Sequence, residues 1–357
     1  MTRDYSKLGL GGGLTPKLLS PIQRLGWQAF FARQTDVEAL EATPPVRVLE
    51  VHRSGHHVVG DGIDEMIPPR PDVTVGDWLL LNREAPLESE VLERKSVMKR
   101  RAPGRDTQEQ LIAANIDTAF IVTSCNADFN VARIERYLAL AFEAEVEPVI
   151  VLTKADIAEN AQRYVEEAQA ISEGVRVLAL NAKSDEPAAK LGEWCKAGKT
   201  VAFLGSSGVG KSTLTNALAG DEKIVTQAIR EDDAKGRHTT TRRQLHFLPS
   251  GCGVLDTPGM RELQLMDAAE GVGSVFADLE ELASQCRFRD CAHDTEPGCA
   301  IKSAVEAGDM DAARLERWKK LIEEDATNTA SRLEREAKLK GISKAVKQVK
   351  AMKPRYK

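Results

Sequence analysis

Hydrophobic and polar positions divide the chain into a region of short strands and a later region of long apolar strands. From about Arg47 to Arg100, four β-patterned segments are separated by Gly, Pro and Asp turns, with no convincing helix between them. These segments are VRVLEVHR, HHVVG, DWLLLN and SEVLERKSVMKR. The pattern predicts a small β-barrel of the oligonucleotide-binding type.

The region from about Ile112 to about Met266 has a different texture. Five near-continuous apolar segments, each typical of a buried parallel strand, are IDTAFIVTS, VEPVIVLTK, VRVLALNAK, KTVAFLGSS and CGVLDTPG. Between the first two, VARIERYLALAFEAE has helical spacing. This alternation predicts a doubly wound α/β domain with helices on both faces of the sheet.

Helical patterns dominate from about Ser274 and are interrupted by a cysteine-rich loop. A long charged helix or helix pair follows, and its predicted apolar stripe consists of Leu315, Trp318, Leu321 and Ile322. The chain is therefore predicted to be multidomain. The predicted divisions are an N-terminal extension (1–44), the barrel (45–107), the α/β domain (108–270) and a mainly helical domain with a basic tail (271–357).

Composition excludes several classes of protein. The 357 residues are 42% hydrophobic and 29% charged, which is ordinary for a globular protein. No apolar run approaches the roughly 18 to 20 residues that a membrane span requires. The first residues lack the apolar stretch of a secretory signal, so a cytoplasmic location is predicted. In a reducing compartment the six cysteines are expected to be thiols or metal ligands.

Charge is distributed unevenly. The net charge is -5, yet from Arg335 to Lys357 nine Lys and Arg face one acid, so this tail carries +8 and the rest carries -13. A second basic cluster runs from Glu93 to Arg105. Such runs commonly contact phosphate backbones, and a solvated tail is the alternative.

The strongest chemical motif is GSSGVGKST, which lies between a predicted strand and a predicted helix. It fits the phosphate-loop pattern G-x-x-x-x-G-K-[ST], in which glycines let backbone amides wrap phosphate oxygens. Lys211 is predicted to reach the β- and γ-phosphates, and the Ser212 hydroxyl to bind Mg²⁺. The predicted nucleotide contacts in this loop are Gly205, Ser206, Ser207, Gly208, Val209, Gly210, Lys211, Ser212 and Thr213.

Two later segments supply candidates for sensing the γ-phosphate. Asp256, in DTPG at a predicted strand end, can hold Mg²⁺ through water, and the Gly259 amide can contact the γ-phosphate. Thr240, favoured over Thr239 in KGRHTTTRR, is predicted to complete the Mg²⁺ shell in a switch loop. His238 is a candidate for positioning the attacking water, because Met260 after DTPG cannot hydrogen-bond one; a plain surface His is the alternative.

The segment TKAD, at the end of a predicted strand, nearly matches the Asn-Lys-x-Asp tetrapeptide that selects guanine. The Asp156 carboxylate can accept from guanine N1–H and the 2-amino group, and the Lys154 stem can cover the base. Thr153 stands at the usual Asn and lacks the amide's donor and acceptor pair, so lower base affinity is expected. Asn181 and Ala182, in LNAKS, are predicted to form a second guanine loop.

These motifs occur in an unusual order. The guanine tetrapeptide and guanine loop precede the phosphate loop, whereas ordinary GTPases have the tetrapeptide afterwards. Cutting the usual order in one loop and joining the old termini produces this arrangement, and domain termini are often close enough to allow it. A circular permutation is therefore predicted.

Three thiols and one imidazole lie within fourteen residues, at Cys286, Cys291, His293 and Cys299. They form a closed tetrahedral set for one structural Zn²⁺, with no open position for catalysis. Reduced cysteines without metal are the alternative. The other three cysteines lie in or beside apolar segments and are predicted to belong to the core.

TKAD, GSSGVGKST, GRHTTT, DTPG and the Cys/His loop, in this order behind a barrel, resemble the RsgA/YjeQ family of circularly permuted GTPases that act on the small ribosomal subunit. The resemblance covers about residues 45 to 320. It implies a fold of an oligonucleotide-binding barrel, a permuted GTPase domain and a zinc-binding C-terminal domain.

The same resemblance implies a cytoplasmic GTP hydrolase, monomeric and without membrane association. Slow intrinsic hydrolysis would be stimulated by the 30S subunit, and the protein would contact 16S ribosomal RNA. It would assist late 30S maturation together with other assembly factors, one of which it releases. The implied cofactors are one Zn²⁺, and Mg²⁺ with GTP.

Two other functions fit parts of the sequence. An ATP-using phosphoryl-transfer enzyme would carry TKAD by accident, and an RNA-binding scaffold would use its nucleotide only for regulation. Competition between ATP and GTP separates the first, and turnover with and without 30S subunits separates the second.

Overall fold

The structure is a computed structural model that describes residues 19–36, 38–101, 109–220, 243–256, 265 and 267–329. His238, Thr240, Gly259 and the basic tail lie outside these residues. For Asp256 the backbone alone is described. None of the described helices is both long and apolar enough to cross a membrane.

The described residues contain thirteen strands. They are β1 (Pro45–His52), β2 (Gly55–Gly60), β3 (Ile63–Ile67), β4 (Trp78–Leu80), β5 (Glu90–Val91), β6 (Val97–Arg101), β7 (Glu109–Ala114), β8 (Thr118–Ser124), β9 (Glu147–Thr153), β10 (Arg176–Ala179), β11 (Thr200–Leu204), β12 (Arg243–Phe247) and β13 (Gly253–Asp256).

Helices alternate with the later strands and dominate the C-terminal part. They are α1 (Pro21–Arg24), α2 (Ala29–Ala32), α3 (Val131–Glu143), α4 (Ala161–Gln169), α5 (Glu186–Leu191), α6 (Lys211–Ala219), α7 (Ala269–Val275), α8 (Ala277–Ser284), α9 (Ala300–Ala307) and α10 (residues 312–329).

By backbone proximity the chain divides into two compact units. The first contains the residues before Arg100 together with Leu111–Leu263, and the second contains Arg100–Gln110 and the residues from Gln264 onwards. The first unit holds the large sheet, and the second holds α7 to α10. The four-part division predicted from the sequence stays a prediction.

A mixed sheet of eleven strands organises the first unit, and its main path has the order β10-β9-β8-β11-β13-β12-β1-β2-β3. The strands from β10 to β13 in this path are parallel, whereas β12 is antiparallel to both β13 and β1. The five parallel strands coincide with the five predicted apolar segments. On one face of the sheet, buried side chains such as Phe120, Val151 and Phe203 form a continuous core with Trp194 and Leu214.

The β-rich part before Lys99 is an antiparallel arrangement. β1 pairs with β2 and β4, β2 pairs with β3, and β4 pairs with β5. Its core consists of Val46, Val48, Val58, Ile63, Ile67, Val73, Leu79 and Leu81. β3 lies outside the four segments predicted as strands, although IDEMI alternates apolar and polar residues in the way a half-buried strand does.

The described part of the N-terminal extension packs on this β-rich part through apolar residues of PIQRLGWQAFFARQ. The rings of Trp27 and Trp78 meet edge to face with centroids 4.9 Å apart, and Phe31 lies 5.7 Å from Trp78. Edge-to-face pairs of this kind contribute beyond their buried area. The extension is thereby fixed to β4 by an aromatic cluster.

A buried arginine joins the extension, β1 and the parallel sheet. The Arg47 guanidinium donates to the Thr200 hydroxyl at 2.8 Å, to the Asn115 carbonyl at 3.3 Å and also to the Leu25 carbonyl. Burial lowers the pKa of Arg47 to about 10. Because Thr200 begins β11, this contact reaches the strand that leads into the phosphate loop.

In the second unit, α10 confirms the long helix predicted after the cysteine-rich loop. Leu315, Trp318 and Leu321 are buried, as the predicted stripe requires. Ile322 is 43% exposed, so its assignment to the buried stripe was wrong. Helical spacing specifies which residues share a face, but burial also requires a partner over each of them.

Candidate nucleotide site and metal centre

The phosphate loop connects β11 to α6 and depends on its glycines. Gly205, Gly208 and Gly210 have φ values of +146°, +78° and +103°, which residues other than glycine rarely adopt. A Cβ on Gly205 would lie 2.2 Å from the Val122 carbonyl oxygen of β8. The start of the loop is therefore packed directly against the neighbouring strand.

Lys211 begins α6 and folds back across the loop. Its Nζ donates to the carbonyls of Gly205 at 2.7 Å and Ser206 at 2.5 Å. Ser212 and Thr213 follow in the first turn, where unpaired backbone amides and the helix dipole favour an anion. This geometry fits a polyphosphate held at the N-terminus of α6.

The carboxyl ends of β8, β9, β10, β11 and β13 lie at one edge of the sheet, because the strands are parallel neighbours. The phosphate loop follows β11, TKAD ends β9 and the Asn181 loop follows β10. Asp256 is the last residue of β13. The sequence-predicted elements on described residues thus share the edge where α/β sheets bind ligands.

Thr153 connects two of these elements. Its side chain is fully buried, and its hydroxyl lies 2.5 Å from the Val209 carbonyl and 3.2 Å from the Thr123 carbonyl. Since a hydroxyl has a single proton to donate, the shorter contact is the hydrogen bond. The hydroxyl at the usual Asn position is thus directed at the phosphate loop, and not at the solvent side where a base would lie.

The two candidate base-contacting residues of the tetrapeptide, Lys154 and Asp156, remain accessible. Lys154 is half-buried with a left-handed φ of 58°, and Asp156 is exposed. Ala155 N–H lies 3.5 Å from the Leu180 carbonyl, so the tetrapeptide is held beside the second loop. Both candidate base-contacting side chains are therefore at least partly exposed to solvent.

The second loop is braced by its own side chains. The Asn181 Oδ1 accepts from the Lys183 amide at 2.9 Å, and the Ser184 hydroxyl donates to the Asn181 carbonyl at 3.0 Å. Ala182 is buried beneath the loop. Asn181 therefore acts here as a turn-forming residue, a role common for Asn.

The Cys/His loop of the second unit brings its four ligand atoms together. The donor atoms of Cys286, Cys291, His293 and Cys299 all lie within 4.8 Å of one another. The Cys286 Sγ is 3.6 Å from His293 Nδ1 and 3.9 Å from Cys299 Sγ. A tetrahedral zinc ion, with Zn–S of about 2.3 Å, separates ligand atoms by about 3.6 to 3.8 Å, so this donor set fits zinc.

Surrounding groups favour the metal-binding forms of Cys286 and His293, whereas burial raises the pKa of Cys291 to about 11. Burial acts to raise the pKa of Cys286, but the Ala300 and Ile301 amides at the start of α9 lower it. Burial, with a smaller contribution from Lys319, lowers the pKa of His293. α10 also supports the loop, because the Trp318 ring lies 5.6 Å from the His293 ring.

Part of the basic cluster from Glu93 to Arg105 has acidic partners. The Arg94 Nε donates to the buried Asp77 carboxylate at 2.7 Å, and the Lys95 Nζ donates to Asp117 at 2.7 Å. These two cations therefore serve the interior of the first unit.

One contact to the phosphate loop was not anticipated from the sequence. The Arg133 Nη1, in the first turn of α3, donates to the Ser206 hydroxyl at 2.7 Å. The two residues are 73 positions apart, and no local motif contains Arg133. The helix spacing of this segment gave α3 itself but not the direction of this side chain.

The permuted strand order, together with a phosphate loop at the ligand-binding edge, defines the class of circularly permuted P-loop GTPases. The RsgA GTPase family model matches residues 91–266. An ABC transporter model matches residues 191–348, a range that includes the phosphate loop which both families share.

The chain belongs to the RsgA GTPase family of GTP-hydrolysing enzymes. It is 47% identical to the small ribosomal subunit biogenesis GTPase RsgA 2 of Vibrio vulnificus, over 94% of this chain and 97% of the relative. It is 51% identical to the small ribosomal subunit biogenesis GTPase RsgA of Mesorhizobium japonicum, over 85% of this chain and 90% of the relative. The resemblance inferred from the motifs is confirmed.

Solved structures show the same fold. YjeQ from Thermotoga maritima matches with a TM-score of 0.56 and 28% identity, over 78% of this chain and 97% of that one. YloQ, a circularly permuted GTPase, matches with a TM-score of 0.53 and 24% identity, over 88% of this chain and 97% of that one. The predicted permutation is confirmed.

Proposed function

We propose that this chain hydrolyses GTP on the 30S ribosomal subunit and assists its late maturation. The observation that carries the nucleotide site is the convergence of TKAD and the phosphate loop at one sheet edge, where Thr153 hydrogen-bonds Val209 at 2.5 Å. The ribosomal part rests on the names of the relatives, which are small ribosomal subunit biogenesis GTPases.

In this proposal Asp156 and Lys154 recognise guanine, with Asn181 and Ala182 beside the base. Lys211 leaves the carbonyls of Gly205 and Ser206 to bind the β- and γ-phosphates. Ser212 and Thr240 would hold Mg²⁺, which would supply positive charge beside the phosphate oxygens. Asp256 and Gly259 report the γ-phosphate, and His238 positions the attacking water.

The β-rich segment from residue 45 to residue 107 is proposed to be an oligonucleotide-binding barrel that contacts 16S ribosomal RNA. Its antiparallel strands and apolar core support this assignment. Residues 108–270 would form the GTPase domain, and 271–357 a zinc-binding domain with the basic tail. The tail, with its +8 charge, suits a phosphate backbone.

Binding and turnover measurements test this function. GTP is expected to displace a fluorescent guanine nucleotide from the purified protein far better than ATP, and 30S subunits are expected to accelerate GTP turnover. Equal displacement by ATP would favour the ATP-using alternative. Turnover that subunits leave unchanged would favour the scaffold.

The role of His238 has its own test. His238→Ala is expected to reduce subunit-stimulated turnover while leaving GTP binding intact, because the imidazole would act on water and not on the nucleotide. His246→Ala, at a half-buried histidine of β12 outside the residues proposed to bind nucleotide or RNA, is the matched control. Full stimulated turnover in His238→Ala would remove the assignment.

A further inference from the structure

The point where the sheet reverses its order lies between β8 and β11. From β8 the chain proceeds through α3 to β9 on one side, and from β11 it proceeds through α6 towards β13 on the other. A crevice opens outside the carboxyl ends of two such strands, and open α/β sheets bind their ligands there. The phosphate loop follows β11 and the segment that leads to α3 follows β8, so both lie at this switch point.

The Arg133 side chain extends from the start of α3 to the phosphate loop. Its Nη1 donates to the Ser206 hydroxyl at 2.7 Å, and the Asp128 carbonyl lies 3.5 Å from the same nitrogen. Both Arg133 and Ser206 are half-buried, so solvent competes only in part for the bond. Hydrogen bonds from a charged donor are roughly twice as strong as neutral ones.

The backbone that carries Arg133 is held in place. Asn130 caps α3, since its Oδ1 accepts from the Arg133 amide at 2.9 Å. Phe129, just before this cap, packs edge to face on Tyr164 of α4 with centroids 5.1 Å apart. The guanidinium therefore projects from a fixed helix terminus and not from a free loop.

Ser206 is contacted from two sides. Arg133 binds its hydroxyl, and Lys211 binds its carbonyl at 2.5 Å. When Lys211 turns to a nucleotide's phosphates, the carbonyls of Gly205 and Ser206 lose that donor. The Arg133 bond does not depend on Lys211 and can persist through the change.

We propose that Arg133 is a positioning residue for GTP binding, which holds Ser206 and keeps the phosphate loop in its nucleotide-binding shape. The inference rests on the phosphate-loop assignment proposed above. It assigns Arg133 no contact with the reacting atoms. Its effect on the nucleotide passes through the Ser206 hydroxyl.

A double-mutant cycle tests this role. The affinities of wild type, Arg133→Gln, Ser206→Ala and the double variant for fluorescent GDP and for a non-hydrolysable GTP analogue are measured by titration. Each single substitution is expected to weaken binding about 3- to 10-fold, as one partly exposed charge-assisted bond allows. The double variant should bind about as weakly as either single variant, because both remove the same bond.

Further measurements separate positioning from folding. Arg133→Lys keeps a donor and is expected to recover part of the affinity, and KM for GTP should rise by the same factor as affinity falls. The urea midpoint of Arg133→Gln should match that of Arg176→Gln, which removes a 64% exposed guanidinium at the start of β10. Arg176→Gln should bind nucleotide as wild type does.

Three results would overturn the proposal. They are wild-type affinity in either single variant, a double variant whose loss is the product of the two single losses, and an Arg133→Gln defect explained by a lower urea midpoint. If the wild-type protein itself binds no guanine nucleotide, the phosphate-loop assignment fails first, and that outcome is distinct from the other three.

Discussion

Replacing Thr153 by Val removes one hydroxyl from a fully buried position between TKAD and the phosphate loop. The side chain keeps its branched shape, but a methyl group replaces the donor that lies 2.5 Å from the Val209 carbonyl. That carbonyl then has no replacement donor from this side chain. The substitution therefore tests the hydrogen bond that joins Thr153 of TKAD to Val209 of the phosphate loop.

The cost follows from the unsatisfied acceptor. Leaving a buried polar group without its partner costs about 1–3 kcal/mol. A carbonyl has a second lone pair, so the lower half of this range, about 1–2 kcal/mol, is expected here. If the loop must keep its shape to bind phosphates, this corresponds to about 5- to 30-fold weaker binding of both GDP and GTP.

Titration with fluorescent GDP, GTP analogue and xanthine nucleotide measures the effect. Thr153→Val should weaken guanine nucleotides while preserving their preference over xanthine, because the hydroxyl faces the loop. Asp156→Asn should instead shift the preference towards xanthine, because an amide donates where the carboxylate accepted. Thr118→Val, at the opposite end of the strands and also buried, controls for loss of a core hydroxyl.

Two results would refute this reasoning. Unchanged affinity and unfolding free energy in Thr153→Val would show that the Thr153–Val209 hydrogen bond stabilises neither the fold nor nucleotide binding. Loss of guanine preference in the same variant would show that the hydroxyl contacts the base.

Three further predictions concern other parts of the chain. Gly205→Ala should lower the free energy of unfolding by at least about 2 kcal/mol in urea titrations, because its Cβ would meet the Val122 carbonyl at 2.2 Å. Gly208→Ala, whose Cβ would have no atom within 4 Å, should lower it by about 1 kcal/mol, and equal losses would contradict the packing argument. Cys299→Ser should reduce bound zinc from about one ion per chain to none by elemental analysis and lower the melting temperature, while Cys125→Ala should retain the metal; zinc retained in Cys299→Ser would contradict the ligand set. Burial acts to raise the pKa of Asp117, but Lys95 lowers it, and the resulting pKa lies below the usual 3.8. The ionised carboxylate therefore stabilises the fold above that pH, and this stabilisation is lost as the pH falls further. Urea midpoints should drop less between about pH 5 and pH 3 in Asp117→Asn than in wild type, and parallel pH profiles of the two proteins would contradict this role of Asp117.

The parallel sheet was predictable because its strands are buried on both faces. Continuous apolar segments such as those of β8 and β9 have no other common explanation at that length, and turn residues mark their ends. β12 was not predicted. Its five residues, RQLHF, show no clear pattern of apolar positions in the sequence. In the structure only Leu245 is buried, and the position of the strand is set by its pairing with β13 and β1.

The candidate site divides along the same line. The metal ligands are local in sequence, and their spacing alone indicated that they would converge. The phosphate loop was likewise visible, since each glycine performs a local backbone task. The bonds that fix this loop were not visible: Thr153 and Val209 are 56 positions apart, and the acceptor is a backbone carbonyl that any residue would supply. Long-range contacts to the main chain leave no residue-type pattern to read.

β12 also gives the β-rich part a direct connection to the nucleotide edge. Gln244 is paired on one side with Asp256, the last residue of β13, and on the other with Glu50 of β1. Its side-chain amide donates to the Glu50 carboxylate as well. A shift of the β13 backbone at Asp256 must therefore either break the ladder at Gln244 or move β1 with it. Because broken ladder bonds in a sheet interior are costly, we expect the pairing of β12 with β13 and β1 to resist such a shift.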